Sequence, residues 1–395
     1  MDHDEIVVFT MFLNLMGMYL ELEEKEEEEE EKQMEFLTVC FQFLNLAYQY
    51  LELPDTLTRR LFPGLNRQRN NPRDILAILR NKPLVFWHMT GLTPAWFDVV
   101  CDEISFDVAQ PRNVRGKYPE DAVREPRACG LSTENRILMA VIWLRQYPSY
   151  ASLQSLFQID KSTASDDVHH VIPILYRFLE GIIQWPTDQE FEQLWGRWDH
   201  FPNAVLALDA TIHRVTRPLI GQHMFYRGDK KCHFMLSQIT CAPDGHIVDL
   251  EAGFFGSNDA GHYANSMVGR GEKLLPPWAK ILADGGYPNR DPLIIPYTKE
   301  ESEGDEDRLL ENEWHRFYRS QVERTIHFLK VFRSVAHIFR HPKYFQPFVV
   351  QVVGALTNVR IEIIHQLEAE EEMEGIEEDG EDGEEFANLV AEMEM

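Results

Sequence analysis

Cysteine is scarce in this 395-residue chain, and the few cysteines form no recognisable framework. They are Cys40, Cys101, Cys129, Cys232 and Cys241. Because they include no CxxC pair, a zinc finger and a disulfide-stabilised scaffold are not expected, and a reducing compartment fits. The sequence also lacks the GxxxxGKS/T and GxGxxG patterns of phosphate-binding loops, so nucleotide binding has no support.

A leader segment and a membrane span are not expected either. The chain starts Met-Asp-His-Asp-Glu, without the basic residues that open a signal peptide. The apolar stretch at residues 6–20 is short and contains Asn14, which argues against a membrane-spanning helix. These features predict a soluble intracellular protein.

Bases are outnumbered by acids, which by itself argues against a nucleic-acid ligand. The chain carries 38 Lys and Arg against 65 Asp and Glu, a net charge of −27. Residues 1–20 carry −3 of that charge, residues 21–32 carry −7 and residues 368–395 carry −14. Only −3 is left for residues 33–367. The body of the protein is therefore nearly neutral, and its charge leaves DNA binding open.

Residues 1–130 are predicted to form a helical N-terminal region. Apolar clusters on either side of the acidic run at residues 21–32 favour helices in its first half. Residues 59–82 are basic, with seven Lys or Arg against Asp74. Two interpretations of this basic segment remain, a solvated linker face or a patch that contacts phosphates. At the other end of the chain, residues 368–395 are predicted to be a disordered acidic tail.

Residues 131–185 have the pattern of a helix-turn-helix. Ser132 is a suitable N-cap for a first helix, which Pro148 ends. A short second helix and a turn lead to a third helix that opens on the small polar run at residues 161–165. Many three-helix bundles share this layout, so the pattern alone is a weak indication of DNA binding.

Residues 200–367 are predicted to be an α/β domain. Four β-favourable runs predict strands, at residues 204–208, 233–241, 246–255 and 280–283. Apolar residues at helical spacing predict a helix over residues 312–336. A last helix over residues 348–367 is apolar nearly all round, which predicts that it is buried. Strands followed by helices indicate the α/β class.

Three carboxylates stand out by their positions. Asp209 and Asp284 each follow a short apolar run, which places them at the C-terminal ends of strands, and Glu323 lies at the edge of a helix's buried stripe. Each has an ordinary alternative, because Asp caps strand ends well and Glu323 has basic neighbours for a surface salt bridge. If the three converge, their oxygens suit two Mg²⁺ or Mn²⁺ ions and phosphodiester cleavage.

The segments around these carboxylates carry a resemblance to a known family. They read Leu208-Asp209-Ala210-Thr211, then Leu282-Ala283-Asp284-Gly285-Gly286-Tyr287-Pro288, then Arg319-Ser320-Gln321-Val322-Glu323 followed by Leu329-Lys330-Val331-Phe332-Arg333. In this order and spacing the sequence resembles the DDE-type endonuclease domain of PIF/Harbinger transposases. Residues 131–175 resemble the helix-turn-helix that precedes that domain in the same family. Together the resemblance covers about residues 131–365.

The resemblance implies an RNase H-like fold, in which helices flank a mixed sheet, preceded by an all-α region with the helix-turn-helix. It implies that Asp209, Asp284 and Glu323 are the catalytic residues and bind a divalent metal, Mg²⁺ or Mn²⁺, with two ions at the site. The implied activity is that of a transposase, a nuclease that cleaves transposon ends and transfers the cut strand.

The implied partner is DNA, and the chain's bases and small polar residues supply candidate contacts. These are Lys161, Ser162, Thr163, Arg319, Arg324, Lys330 and Arg333. Asp166 and Asp167, in the same helix as Lys161, would repel phosphates unless they face away from the DNA. The family further implies a Myb-like accessory protein and a nuclear location, and a homo-oligomer is a further possible assembly.

Two other functions remain open. One is a domesticated, catalytically decayed copy that binds DNA or protein. It is favoured by the acidic segments, by Asp166 and Asp167, and by the motif Gly256–Asp259, which is one residue shorter than the family usually shows. A decayed site would show no stabilisation by Mg²⁺ or Mn²⁺, whereas an intact site would. The other is an RNase H-like nuclease that acts on RNA, which a preference for RNA-containing substrates would support.

Overall fold

The computed structural model describes residues 72–110, 131–256 and 259–374. The predicted N-terminal helices, most of the basic segment 59–82 and most of the acidic tail 368–395 lie outside the described residues. All described residues belong to one compact unit that begins at Asn70. In chain order the unit has a helical part, then a mixed sheet flanked by helices.

Three helices open the helical part, and polar or proline residues mark where each begins. They are α1 (Ile75–Leu79), α2 (Pro83–Thr90) and α3 (Pro94–Ala109). The Asp74 side chain accepts a hydrogen bond from the Ala77 N–H, and Thr93 does the same for Trp96, so both cap a helix N-terminus. Both α2 and α3 pack against the first helix of the next segment.

The predicted helix-turn-helix is present as three helices. They are α4 (Thr133–Gln146), α5 (Tyr150–Phe157) and α6 (Lys161–Leu179). Ser132 caps α4 as predicted, since its side chain accepts from the Asn135 N–H at 3.2 Å. The residues that follow α4 and α5, Tyr147 and Gln158, are in the left-handed conformation at φ near 50°, which turns the chain tightly. The predicted break at Pro148 is confirmed.

The sheet contains both antiparallel and parallel strands, as predicted for an RNase H-like fold. After the short helix α7 (Asp188–Leu194), the strands and intervening helices are β1 (Ala204–Arg214), α8 (Gln222–Phe225), β2 (Tyr226–Arg227), β3 (Cys232–Cys241), β4 (Ile247–Phe255), α9 (Asp259–Asn265), β5 (Lys280–Ala283) and β6 (Leu293–Ile294). Strand β1 is central, antiparallel to β3 and parallel to β5. Strand β3 pairs with β2 and β4, and β5 pairs with β6.

The prediction that β1 ends at Leu208 is wrong. The strand continues through Asp209 to Arg214, because β3 stays paired with it along that whole length, up to Arg214 opposite Phe234. What ends at Leu208 is the parallel pairing with β5, whose last partners are Leu208 and Ala283. Asp209 therefore lies within β1, at the point where β1 loses one of its two neighbours.

The helices after the sheet differ from prediction mainly in their ends. The next helices are α10 (Lys299–Ser302) and α11 (Glu306–Lys330). Helix α11 begins six residues before the start predicted for it, residue 312, and ends before the predicted end, residue 336. The predicted continuation is a separate short helix, α12 (Arg333–Ala336), which is followed by α13 (Gln346–Glu374). Among the described residues, one helical stretch, Lys343–Ala369, is long and apolar enough to cross a membrane, and its apolar window is 78% buried inside the protein. This is the burial predicted for the last helix.

The turn between β3 and β4 is attached to α13 by an ion-pair network around His246. The His246 ring lies 3.2 Å from Asp244 and 3.5 Å from Glu362 of α13. The hydrogen bond to the Asp244 side chain raises the pKa of His246 above its usual value. Protonated His246 therefore stabilises the fold at acidic pH.

We expect His246→Gln to lower stability in acid and to have little effect in base. Because the folded-state pKa is raised, the stabilisation is complete below the unfolded value of about 6.5 and disappears as pH rises through the folded value. The loss should be about 1 kcal/mol at pH 5.5. Urea unfolding at pH 5.5 and pH 9 tests this, with the exposed His223→Gln as control. An equal loss at both pH values would contradict it.

Candidate functional site

Two aspartates meet where the parallel pairing of β1 and β5 ends. The last paired residues are Leu208 of β1 and Ala283 of β5. The residues that follow them, Asp209 and Asp284, therefore lie at the same edge of the sheet. After Asp284 the chain turns, and the Tyr287 N–H donates to the Asp284 carbonyl at 3.0 Å. The Asp284 side chain is exposed and the Asp209 side chain is 24% exposed.

Helix α11 brings the third carboxylate to this edge. The helix packs on β1 through a buried stripe that includes Val322 and Leu329. Glu323 follows Val322 and lies about 100° around the helix from it, at the margin of the contact. Its side chain is 54% exposed. The three carboxylates Asp209, Asp284 and Glu323 are called the carboxylate cluster below.

Arg319 ties two members of the cluster together. Its Nη1 donates to Asp209 Oδ2 at 3.1 Å, and its Nη2 donates to Glu323 Oε1. The arginine is 14% exposed, so it is far less open to solvent than Glu323. Asp209 Oδ1 in turn accepts from the Ala210 N–H at 2.7 Å. These bonds fix the orientation of the Asp209 carboxylate.

The charges of the cluster act on one another. Burial raises the pKa of Asp209, and the negative charges of Asp284 and Glu323 raise it further, while Ala210 and Arg319 oppose the shift. Both other carboxylates are therefore close enough to destabilise the ionised form of Asp209. Three acids that repel one another around a half-buried position form an arrangement that a bound cation would stabilise.

The donor atoms of the cluster fit a divalent cation. All three side chains offer hard carboxylate oxygens, which Mg²⁺ and Mn²⁺ prefer. Within the described ranges, no three His, Cys, Asp or Glu side chains lie close enough together to hold an ion as they stand. In the cluster, the Arg319 guanidinium bonds oxygens of two of the three carboxylates. The residues therefore suit a metal by chemistry, and Arg319 acts as their counter-ion in this conformation.

Three of the predicted DNA-contacting residues open helix α6, away from the carboxylate cluster in sequence. Lys161 and Ser162 are exposed and Thr163 is half-buried. Asp167, which was expected to repel phosphates, points into the protein instead. It is 1% exposed and pairs with Arg136 at 3.1 Å, so its charge is neutralised.

The four predicted arginine and lysine contacts on and after α11 fall in different places. Arg319 bonds the carboxylates, and the exposed Arg324 donates to Gln321 on its own helix. Lys330 is half-buried, and Asp209 favours its charged form. Arg333, at the start of α12, is exposed.

Lys330 and Arg333 belong to a larger group of bases that sequence reasoning missed. The group, called the basic strip below, consists of Arg214, Lys330, Arg333, Arg340 and Lys343. Arg340 reaches the helix-turn-helix, where its guanidinium lies 4.5 Å from the Tyr147 ring centroid. Lys343 donates to Thr216 at 2.6 Å, just beyond β1. The recurrence of bases along the sequence from Lys330 to Lys343 could have indicated most of this group. Arg214 is distant in sequence, and only the fold brings it to the others.

The basic strip is a positive patch without ion-paired members in the described ranges. Within the part of the chain that the structure describes, none of its five members forms an ion pair with an acid. Burial lowers the pKa of His337, and the charges of Arg333 and Arg340 lower it further. Burial also lowers the pKa of Lys330; the charge of Asp209 opposes this shift and the charge of Arg214 adds to it. Bases grouped without acidic partners, in a chain of net charge −27, form a surface that attracts an anion.

Comparison with known protein families gives two matches, and the longer one covers the carboxylate cluster. Residues 208–358 match the DDE superfamily endonuclease. Residues 129–180 match the helix-turn-helix of DDE superfamily endonuclease, which spans α4 to α6. We call the longer match the DDE domain, and it includes Asp209, Asp284 and Glu323. Comparison with curated proteins and with solved structures gives no match.

These matches support part of what the sequence suggested. A DDE endonuclease domain preceded by its helix-turn-helix is consistent with a transposase-type nuclease that binds DNA. The family generally uses divalent metals. The mixed sheet with flanking helices, preceded by helices that include the helix-turn-helix, confirms the predicted fold class.

Proposed function

We propose that this protein is a metal-dependent DNA endonuclease of the Harbinger transposase type, which cleaves phosphodiester bonds at transposon ends. The observation that carries the proposal is the convergence of Asp209, Asp284 and Glu323 from two parallel strands and a helix within a DDE domain. A surface salt bridge alone would account for the pairing of Glu323 with Arg319. It does not explain why a partly buried aspartate has two further acids close to it.

In this proposal each carboxylate has a distinct placement. Asp209 is the most enclosed and is held by the Ala210 N–H, which makes it the fixed ligand. Asp284 and Glu323 are more exposed and approach from the turn after β5 and from α11. Two bound Mg²⁺ or Mn²⁺ ions would supply charge stabilisation at the phosphate and a more acidic attacking water or 3′-hydroxyl. The fold of the chain would orient the three carboxylates that bind these ions.

The basic strip supports DNA as the substrate. Lys330 lies close enough to Asp209 for the carboxylate to influence its pKa, and Arg340 contacts Tyr147 at the end of α4. The strip thus joins the carboxylate cluster to the helix-turn-helix. A DNA backbone laid along it would bring its phosphates from one to the other. We propose this as the path of the DNA.

We expect the double variant Arg214→Gln, Arg333→Gln to weaken duplex binding with a reduced salt dependence. Each lost phosphate contact should reduce the slope of log affinity against log salt concentration by about 0.9. Binding of a fluorescent duplex measured at several salt concentrations gives the slope. The matched control is Arg270→Gln, Arg308→Gln, which removes two arginines that are paired with acids elsewhere. Equal slopes for both double variants would place the DNA elsewhere.

Further parts of the proposal concern partners and location. A Harbinger-type transposase is expected to act in the nucleus with a Myb-like accessory protein, and as a homo-oligomer that holds two DNA ends. Helix α5 and the first turn of α6, as the structure describes them, contain one Lys or Arg, which is Lys161. Because Lys and Arg supply most of the affinity for the DNA backbone, we expect an accessory protein to contribute to DNA binding.

Nicking of supercoiled plasmid by the full chain tests the proposed function. Plasmid is used because it needs no knowledge of the terminal sequence. We expect conversion to the open circle with Mn²⁺ or Mg²⁺ and none with a chelator. A matched RNA–DNA hybrid and an RNA duplex are run in parallel. Cleavage confined to RNA-containing substrates would favour an RNase H-like function, and no cleavage with no stabilisation by metal would favour a decayed copy.

A further inference from the structure

Arg319 occupies an unusual position for a residue beside a nuclease site. It lies one helical turn before Glu323 on α11, and its side chain is only 14% exposed. Its two terminal nitrogens donate to carboxylates on different elements, Asp209 of β1 and Glu323 of α11. One guanidinium therefore spans the gap between strand and helix.

The oxygens that Arg319 bonds are ones a metal ion would need. Asp209 Oδ1 is already engaged by the Ala210 N–H, which leaves Oδ2 as its better outward ligand, and Arg319 bonds that atom. Within the described ranges, Arg319 is the sole residue that forms an ion pair with the cluster. Arginine keeps its charge throughout the working pH range, so it can leave these oxygens only by moving.

We propose that Arg319 is an internal counter-ion that competes with the divalent metal for Asp209 and Glu323. It thereby sets the metal concentration at which the site loads. This inference rests on the proposed function, because it takes the carboxylate cluster as the metal site. In the absence of metal, Arg319 offsets the repulsion among the three acids. When metal binds, the guanidinium moves off the two carboxylates.

The displaced guanidinium has an obvious new partner. Its planar fork of N–H donors suits a phosphate group as well as a carboxylate. The DNA phosphate that enters the site would accept these donors, so substrate binding and metal loading favour the same movement of Arg319. Toward the metal, Arg319 acts through the ligands Asp209 and Glu323 and does not itself hold the ion.

Direct measurement of Mn²⁺ binding by the full chain tests the proposal without relying on cleavage. Free Mn²⁺ is followed by its electron paramagnetic resonance signal during titration of the parent protein and of Arg319→Gln. We expect the Kd for Mn²⁺ to fall roughly 10-fold in the variant, the equivalent of releasing about two partly exposed ion pairs. A purely structural role predicts the opposite sign, because a loosened cluster would bind Mn²⁺ more weakly. An unchanged or raised Kd overturns the proposal.

Two further variants make the experiment decisive. Arg316→Gln removes the same charge one turn earlier on α11, from an exposed side chain, and should change the Kd less than about two-fold because solvent screens it. Arg319→Lys keeps the charge but lacks the longer planar fork that spans strand and helix, so an intermediate Kd is expected. If circular dichroism shows that Arg319→Gln does not fold, the lysine variant decides, and a Kd no lower than that of the parent overturns the proposal.

The outcome is separable from failure of the proposed function. Asp284→Asn removes a carboxylate that Arg319 does not touch. If Mn²⁺ binding survives Asp284→Asn unchanged, the carboxylate cluster is not the metal site and both proposals fall. If Asp284→Asn abolishes binding while Arg319→Gln leaves the Kd unchanged, the metal site stands and only the role of Arg319 is wrong.

Discussion

Replacing Asp284 by Asn is expected to abolish metal-dependent nicking of plasmid DNA, with a loss of at least about 10³-fold in rate. The amide keeps the shape of the side chain but removes the negative charge that a divalent ion requires. Asp284 is exposed and its turn is held by backbone hydrogen bonds, so the fold should not change. Asp209→Asn and Glu323→Gln should have the same effect. Rates of open-circle formation, measured with Mn²⁺, test all three variants.

The matched control for this prediction is Asp291→Asn. Asp291 precedes β6, the neighbour of β5, and its side chain is 76% exposed in an ion pair with Lys280. The variant removes an equivalent charge at the opposite end of β5, next to Lys280, without touching the cluster. It should nick at the rate of the parent. Equal activity of Asp284→Asn and the parent would show that the carboxylate cluster does not cleave DNA.

Loss of the buried Asp167 charge is expected to cause the largest change in stability. Asp167 is 1% exposed in α6, and Arg136 of α4 donates to it while also donating to the Val108 carbonyl of α3. The Asp167→Asn variant leaves the Arg136 charge without its carboxylate in a nearly dry position. We expect a loss of about 3 kcal/mol in the free energy of unfolding, measured with urea.

Two comparisons identify the cause of that loss. Asp98→Asn breaks an ion pair with Arg80 in which both side chains are nearly half exposed, and it should cost less than about 1 kcal/mol. The double variant Arg136→Met, Asp167→Leu removes both buried charges and should recover most of the stability. A double variant as unstable as Asp167→Asn would mean that packing, and not the unpaired charge, accounts for the effect.

Local sequence signals predicted the elements of this fold well where apolar residues recur regularly. Strand β5 lies where predicted, β3 and β4 start within one residue of prediction, and the Ser132 cap and the break at Pro148 are confirmed. The turn between β3 and β4 contains Gly245 at φ 93°, a conformation that only glycine adopts easily. These features depend on neighbours in the chain, so a short window contains the necessary information.

Features that depend on distant partners were missed. Strand β1 extends past Asp209 because β3 pairs with a run that includes buried Thr211 and His213, which a hydropathy pattern reads as the end of a strand. The ion pair of Asp167 with Arg136 joins two helices, and the bonds from Arg319 join a helix to a strand. From the sequence, Arg319 was a candidate DNA contact and Asp167 a residue that would repel phosphates. Tertiary packing pairs each of them with side chains of opposite charge inside the protein instead.

The most direct test of the account is to locate Mn²⁺ by its anomalous X-ray scattering in crystals of the full chain grown with that ion. We expect a peak bound by Asp209 and Asp284, with the Arg319 guanidinium turned away from Asp209. The Asp284→Asn variant, crystallised in the same way, should lack the peak. Mn²⁺ bound only elsewhere in the parent, with Arg319 still spanning Asp209 and Glu323, would contradict the assignment of the carboxylate cluster as the metal site.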